Sequence, residues 1–157
     1  AYTIAHRGNY NYFSFKGMRR EGNNELHVTS THYDDQIALD LVRGSQRTVA
    51  IHGCEGNESV AYIGGSDDRL IELITESLED IGISVREAPH HISGTQENNI
   101  VNMTQTQGGV QLELTAQLRK ELFKNRKSSR KNRENKDNWD DLMYDFADAM
   151  KKAIERA

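Results

Sequence analysis

The chain has 157 residues, a length that suits one domain with a single hydrophobic core. Charged residues make up 28% and the net charge is −4, so the protein as a whole is not a polycation built to coat nucleic acid. No apolar run is long enough to predict a membrane span. The single cysteine, Cys54, excludes an internal disulfide framework, a zinc ribbon and CxxC redox chemistry.

The first half of the chain predicts strands and helices in alternation. Runs rich in aromatic and β-branched residues predict short strands at 12–15 and 26–30. Helical spacing of apolar residues predicts a helix over 34–42, which Gly44 ends. The continuously apolar run at 48–51 predicts a strand buried on both faces, as in a parallel or mixed sheet.

The pattern continues in the second half. A helix is predicted over 66–81, with Ser66 as its N-cap and two aspartates in the first turn. A short strand follows at 83–85, and Pro89 opens a long polar loop.

Period-two alternation over 110–114 predicts a strand with valine and leucines on one face and Gln111 and Glu113 on the other. Thr115 then caps a helix that runs to Phe123. Alternating elements of this kind predict an α/β fold, a mixed sheet with helices on both faces.

The C-terminal part divides by composition. We expect residues 1–124 to form the core of the domain, 125–138 to be a polar linker, and 139–157 to be an amphipathic helix packed on the same domain. The chain starts abruptly at Ala1, without an initiator methionine or a signal pattern, so we expect either that it was processed or trimmed, or that an N-terminal portion is missing.

Two residues stand out as candidates for chemistry. His52 directly follows the predicted strand at 48–51, and ligands of open α/β sheets bind beyond the carboxyl ends of the strands. The alternative is a local hydrogen bond at the strand end. Glu113 lies on the strand face opposite the apolar residues, which is either solvent or an active-site cleft. A partly desolvated glutamate there suits a general base.

Three further features have simpler interpretations. The hydroxyls, imidazole and carboxylates of 30–35 fit helix capping by Asp34, and His90 with His91 fits a solvated loop. Residues 119–133 contain eight basic residues and one acid, which predicts either a solvated surface or a binding site for an anionic polymer. Nucleic acid is the least favoured polymer, because aromatic residues for base stacking are missing from this run.

Several stretches, in order along residues 10 to 120, resemble the zinc-dependent poly-γ-glutamate hydrolases of Bacillus phages and their bacterial relatives. The matching stretches are Tyr-Phe-Ser-Phe-Lys-Gly at 12–17, Leu-His-Val-Thr-Ser-Thr-His-Tyr-Asp at 26–34, Val-Ala-Ile-His-Gly at 49–53, Tyr-Ile-Gly-Gly at 62–65, Asn-Ile-Val-Asn at 99–102 and Gly-Gly-Val-Gln-Leu-Glu-Leu at 108–114. Each stretch is short, and their common order makes the set specific.

The resemblance implies a fold similar to zinc carboxypeptidases and one catalytic zinc. It implies that His52 is a metal ligand and that Glu113 is the general base for a metal-activated water. The other ligands of the family, a histidine and a glutamate, belong to a loop expected upstream of Ala1, so a chain that truly begins there would have little activity. His32 and Asn102 are implied to line the substrate site. Met103 replaces an arginine that relatives carry and that could clamp a glutamate carboxylate.

The resemblance thus implies hydrolysis of γ-glutamyl amide bonds in poly-γ-glutamate, an anionic polymer, with zinc as cofactor. The alternative is a non-catalytic module that binds an anionic polymer. No membrane partner is expected. We expect either synthesis in the cytoplasm with release on lysis of the host, or an extracellular location.

Overall fold

The computed structural model describes residues 1–157. It contains four strands and six α-helices, joined by loops with short 3₁₀ turns. The strands are β1 (Val49–Cys54), β2 (Val60–Gly65), β3 (Ser84–Glu87) and β4 (Val110–Thr115). The helices are α1 (Tyr2–Gly8), α2 (Gln36–Arg43), α3 (Asp68–Glu79), α4 (Ala116–Glu121), α5 (Arg130–Arg133) and α6 (Asp141–Arg156).

The strands form one mixed sheet in the order β1-β4-β2-β3. β1 runs parallel to β4, β2 runs antiparallel to β4, and β3 runs parallel to β2. The last strand of the chain is therefore inserted next to the first, with a neighbour on each side. The predicted α/β fold with a mixed sheet is confirmed.

One face of the sheet carries the hydrophobic core. Val110, Leu112 and Leu114 of β4 are buried on this face, as the alternation predicts. α3 and α6 pack together over them, and α1 packs against α6. Leu70, Leu73, Ile74 and Leu78 of α3 and Met150 of α6 complete the centre of the core.

The opposite face is covered by the loop between β3 and β4, residues 88–109. Gln111 of β4 donates a hydrogen bond to the carbonyl of Ile92 in this loop. α2 packs against a 3₁₀ turn in the same loop, Ile100–Asn102. The Gln and Glu face of β4 is thus a buried interior surface, and the prediction that it could face solvent is wrong.

β1 differs from its prediction. It was expected to be buried on both faces, but it is an edge strand that pairs only with β4, and its residues are mostly half-buried. The apolar sequence of β1 therefore does not indicate a central position in the sheet.

The two strands predicted at 12–15 and 26–30 are not formed. Residues 12–15 are irregular and exposed, and a 3₁₀ turn at Asn23–Leu26 precedes the second segment. Neither segment pairs with a strand of the sheet, and β propensity is expressed only where pairing and packing allow it. Phe13 instead packs edge-on against Tyr33, with ring centroids 6.2 Å apart.

Two of the three predicted caps shift by one residue. Asp67, not Ser66, accepts the capping hydrogen bond of α3 from Leu70, and Asp35, not Asp34, caps α2. Thr115 caps α4 as predicted. Aspartate and serine are both good N-caps, so composition alone could not choose between neighbours.

The polar stretch at 125–138 contains α5 and two short 3₁₀ turns, and it leads back to the domain. The amide of Asp140 donates to the carbonyl of Leu122 at the start of α6. The linker boundaries remain predictions. None of the helices has the length and apolar character needed to cross a bilayer.

A substitution at Gly64 tests how closely the 88–109 loop packs on the sheet. A Cβ at this position would collide with the backbone carbonyl of Ser93. We expect Gly64→Ala to lower the free energy of unfolding by about 2–3 kcal/mol in urea denaturation, because the loop backbone must move.

Gly82→Ala is the matched control. Gly82 has a φ of 82° but nothing within 4 Å of the added Cβ, so only backbone strain is introduced, at about 1 kcal/mol. Equal effects of the two substitutions would contradict the close seating of the loop.

Candidate active site

The two residues singled out for chemistry lie side by side. His52 of β1 is paired with Glu113 of β4 in the parallel register. Directly paired residues point to the same face of a sheet, so both side chains lie on the face opposite the hydrophobic core. Both are close to the carboxyl ends of parallel strands, which is where α/β sheets bind ligands.

Glu113 is a buried carboxylate in the central strand, with 7% of its surface exposed. Gln111 donates a hydrogen bond to Glu113 Oε1, with 3.4 Å between nitrogen and oxygen. Burial raises the pKa of Glu113, and the opposing effects of the Arg119 charge and of this hydrogen bond are smaller. A carboxylate with a raised pKa can accept a proton and release it again near neutral pH.

A buried network fixes Gln111. Its amide nitrogen also donates to the carbonyl of Ile92, at 3.1 Å, and its oxygen accepts a hydrogen bond from Asn99, at 3.2 Å. Asn99 in turn caps the 3₁₀ turn Ile100–Asn102. The orientation of the Glu113 carboxylate is therefore determined by the loop that covers this face.

His52 is half-buried at the open edge of the sheet. Burial lowers the pKa of His52, and the nearby charge of His27 lowers it further. A neutral imidazole is the form that binds metals and accepts protons. His27 is a site residue that spacing could not find, because its segment has no regular structure and lies far from His52 in the sequence.

Arg119, like His27, was not predicted as an individual site residue; the sequence marked it only as part of the basic run 119–133. Its guanidinium donates to the carbonyl of Leu114 on β4 and to that of Cys54 on β1, both at 3.1 Å. It fits closely against Gly53, where a Cβ would lie 2.9 Å from the guanidinium carbon. Arg119 thus ties together the ends of the strands that carry Glu113 and His52.

The predicted substrate residues have different surroundings. His32 is exposed in the turn before α2, and its side chain is accessible to a large ligand. Asn102 is buried, and its amide is used within the chain: it donates to the carbonyls of Gly94 and Gln96 and accepts from Ser66. Their roles in binding stay predictions. His90 and His91 are exposed in a 3₁₀ turn.

The sequence matches the model of the family described as "Poly-gamma-glutamate hydrolase" over residues 1–149. The chain belongs to the poly-γ-glutamate hydrolase family.

Relatives and solved structures agree with this assignment. The chain is 36% identical over 116 residues to the SPbeta prophage-derived UPF0714 protein YoqZ of Bacillus subtilis, covering 73% of the chain and 42% of that protein. It is 30% identical over 154 residues to the UPF0714 protein YmaC of the same organism, covering 94% of the chain and 62% of that protein. The chain therefore spans about half the length of these curated relatives.

A solved structure titled "Structure of Bacteriophage poly-gamma-glutamate hydrolase" matches with a TM-score of 0.92 and 30% identity, over 99% of this chain and 74% of that one. A second, "YNDL-apo (Zinc-free)", matches with a TM-score of 0.83 and 26% identity, over 98% and 76%. The predicted resemblance is confirmed, and with it the carboxypeptidase-like fold.

The donor atoms of this family member do not group into a metal site. Catalytic zinc is held by three protein ligands. No three histidine, cysteine, aspartate or glutamate side chains come together within residues 1–157. His52, with His27 in its neighbourhood, is one candidate donor, and these residues do not form a complete zinc site.

The raised pKa of Glu113 predicts that the ionised carboxylate lowers the free energy of unfolding. The protonated form is favoured in the folded chain, so folding loses stability as pH rises from the ordinary glutamate pKa, about 4.3, through the raised value. Glu113→Gln removes this cost and keeps an oxygen for Gln111. We expect a higher Tm than wild type at pH 7, and a difference that vanishes below about pH 4.

Thermal unfolding followed by circular dichroism, at pH 7 and below about pH 4, measures the Tm of wild type and of Glu113→Gln. Glu87→Gln, at an exposed glutamate of β3, is the matched control and should change stability by less than about 0.5 kcal/mol. A lower Tm for Glu113→Gln than for wild type at pH 7 would contradict the assignment of an unfavourable buried charge.

Proposed function

We propose that this chain hydrolyses γ-glutamyl amide bonds of poly-γ-glutamate, with Glu113 as the general base. The observation that carries the proposal is the buried Glu113 carboxylate, whose pKa is raised and which is paired in register with His52. Membership of the poly-γ-glutamate hydrolase family supports the choice of substrate.

The proposed roles of Glu113 follow from its surroundings. The hydrogen bond from Gln111 engages Oε1 and leaves Oε2 to meet a water molecule. Oε2 takes a proton from the water that attacks the amide carbonyl, and it then gives the proton to the leaving nitrogen. A carboxylate with an ordinary pKa would be a weaker base toward the water in the first step, so burial serves the reaction.

We propose that the hydrolase is zinc-dependent and that His52 is one metal ligand. Its half-buried position next to Glu113 and the neutral state of its imidazole support this role. The described residues do not by themselves complete a zinc site. His32, exposed beside the 26–30 segment, is proposed to contact the polymer.

A non-catalytic module that binds an anionic polymer is the second candidate. The eight basic residues between 119 and 133 are all exposed, and only one acid interrupts them. A surface of this kind attracts polyanions at low ionic strength. This role and the hydrolase role use different residues, so they can be separated by experiment.

Glu113→Gln separates the two. If Glu113 is the general base, hydrolysis of poly-γ-glutamate, measured as loss of chain length by size-exclusion chromatography, falls about 10²- to 10⁴-fold. Glu87→Gln is the control and retains wild-type activity. A polymer affinity that is unchanged by Glu113→Gln and by a chelator, but falls steeply with salt concentration, supports the binding module instead.

His52→Ala tests the metal ligand. We expect the zinc affinity of the chain, measured by titration calorimetry, to fall by at least about tenfold, because a direct donor is lost. His91→Ala removes an exposed histidine of the loop and should leave the affinity unchanged. Equal zinc binding by wild type and His52→Ala, including none by either, would contradict the assignment.

A further inference from the structure

Glu113 is part of a row of polar side chains that crosses the sheet. It is paired with Tyr62 of β2, and Tyr62 is paired with Arg86 of β3. Because directly paired residues share a face, Tyr62 and Arg86 continue the row away from His52, on the same face as Glu113. Neighbouring strands are about 4.8 Å apart, so Arg86 originates about 10 Å from Glu113, within the reach of its long side chain.

Loops border this row on both sides. On one side, Gln111 of the next row is covered by the loop around Ile92 and Gly94. On the other side, Thr115 donates to the carbonyl of Glu58, and its methyl group lies against Gly56. The row from Glu113 to Arg86 therefore lies between two loops and runs across the strands.

Arg86 is the cation of this row. Its guanidinium lies 2.7 Å from the carboxylate of Glu58, and the two side chains are 52% and 72% exposed. An ion pair so open to water is weak, so another carboxylate can compete for the guanidinium. The Glu58 carboxylate holds the pKa of Arg86 above its ordinary value, and the Tyr62 side chain acts in the same direction.

Other cations are less suited to this position. Arg119 is committed to the carbonyls of Leu114 and Cys54 and packs against Gly53, whose missing side chain would point to the core face. Met103, which lies in the loop over this face, carries no charge. Of these three side chains, only Arg86 combines a positive charge with a place in the row paired with Glu113.

We propose that Tyr62 and Arg86 form a carboxylate-binding subsite that takes the α-carboxylate of a γ-glutamyl unit next to the scissile amide. The inference rests on the proposed function. Every unit of the polymer carries an α-carboxylate, and the carbon that bears it is bonded directly to an amide nitrogen. A guanidinium can bind a carboxylate through two hydrogen bonds, and the Tyr62 hydroxyl can donate a further one.

In this arrangement Glu58 is a competitor of the substrate. In the free protein its carboxylate occupies the guanidinium, and the substrate carboxylate displaces it into solvent. Removal of Arg86 and removal of Glu58 must then have opposite effects on binding, although each breaks the same ion pair. A purely structural ion pair would give the same effect for both.

The test measures the affinity of a synthetic γ-linked glutamate oligomer for the full chain by titration calorimetry, on a Glu113→Gln background so that the oligomer stays intact. We expect Arg86→Gln to weaken binding about tenfold, Tyr62→Phe to weaken it a few-fold, and Glu58→Gln to tighten it. Arg156→Gln, which breaks an exposed ion pair with Glu76, is the matched control and leaves affinity unchanged. Equal melting temperatures show that the variants are folded.

Three results overturn the proposal. Unchanged affinity in Arg86→Gln, or equal weakening in Arg86→Gln and Glu58→Gln, overturns the subsite alone and leaves the proposed function standing. If the chain without these changes fails to bind the γ-linked oligomer, the proposed function fails and the subsite with it.

An oligomer with α-carboxamides in place of the carboxylates is the ligand control. It should bind with the same affinity to the Glu113→Gln chain with and without Arg86→Gln, because it lacks the group that Arg86 is proposed to bind.

Discussion

The buried polar face of β4 is the constraint on which the rest of the structure depends. β4 has a strand on each side, a helical layer beneath it and a loop above it, so neither of its faces reaches solvent. Gln111, Glu113 and Thr115 nevertheless point away from the hydrophobic core. Each polar group without water must find a partner in the chain, because an unpaired buried group is costly.

The loops around β4 supply these partners unevenly. Thr115 donates to Glu58 and accepts from Val60, while Gln111 is held by Asn99 and the carbonyl of Ile92. Glu113 receives only one long hydrogen bond, from Gln111. The least satisfied group of the face is thus the carboxylate with the raised pKa.

The same loops give the face its shape. Residues 88–109 turn back over the sheet because Asn102 binds the carbonyls of Gly94 and Gln96, and Gly64 leaves room for the backbone of Ser93. The row that holds Glu113 and Tyr62 lies between this loop and the one after β1. Hydrogen bonds that satisfy the buried strand therefore also hold the two loops that border this row.

The sequence alone determined those elements that depend on the pattern of residues within one segment. Alternation predicted β4 and its two faces, apolar spacing predicted α2, α3 and α6, and ordered short stretches predicted the family. It predicted strands at 12–15 and 26–30 that do not form, because neither segment pairs with the sheet, although β1 and β3 each have a free edge. It misjudged β1, because burial depends on neighbours distant in sequence. The pairing of His52 with Glu113, the nearness of His27 and the row to Arg86 were decided by tertiary structure. They depend on strand order, which brings together residues that no spacing rule connects.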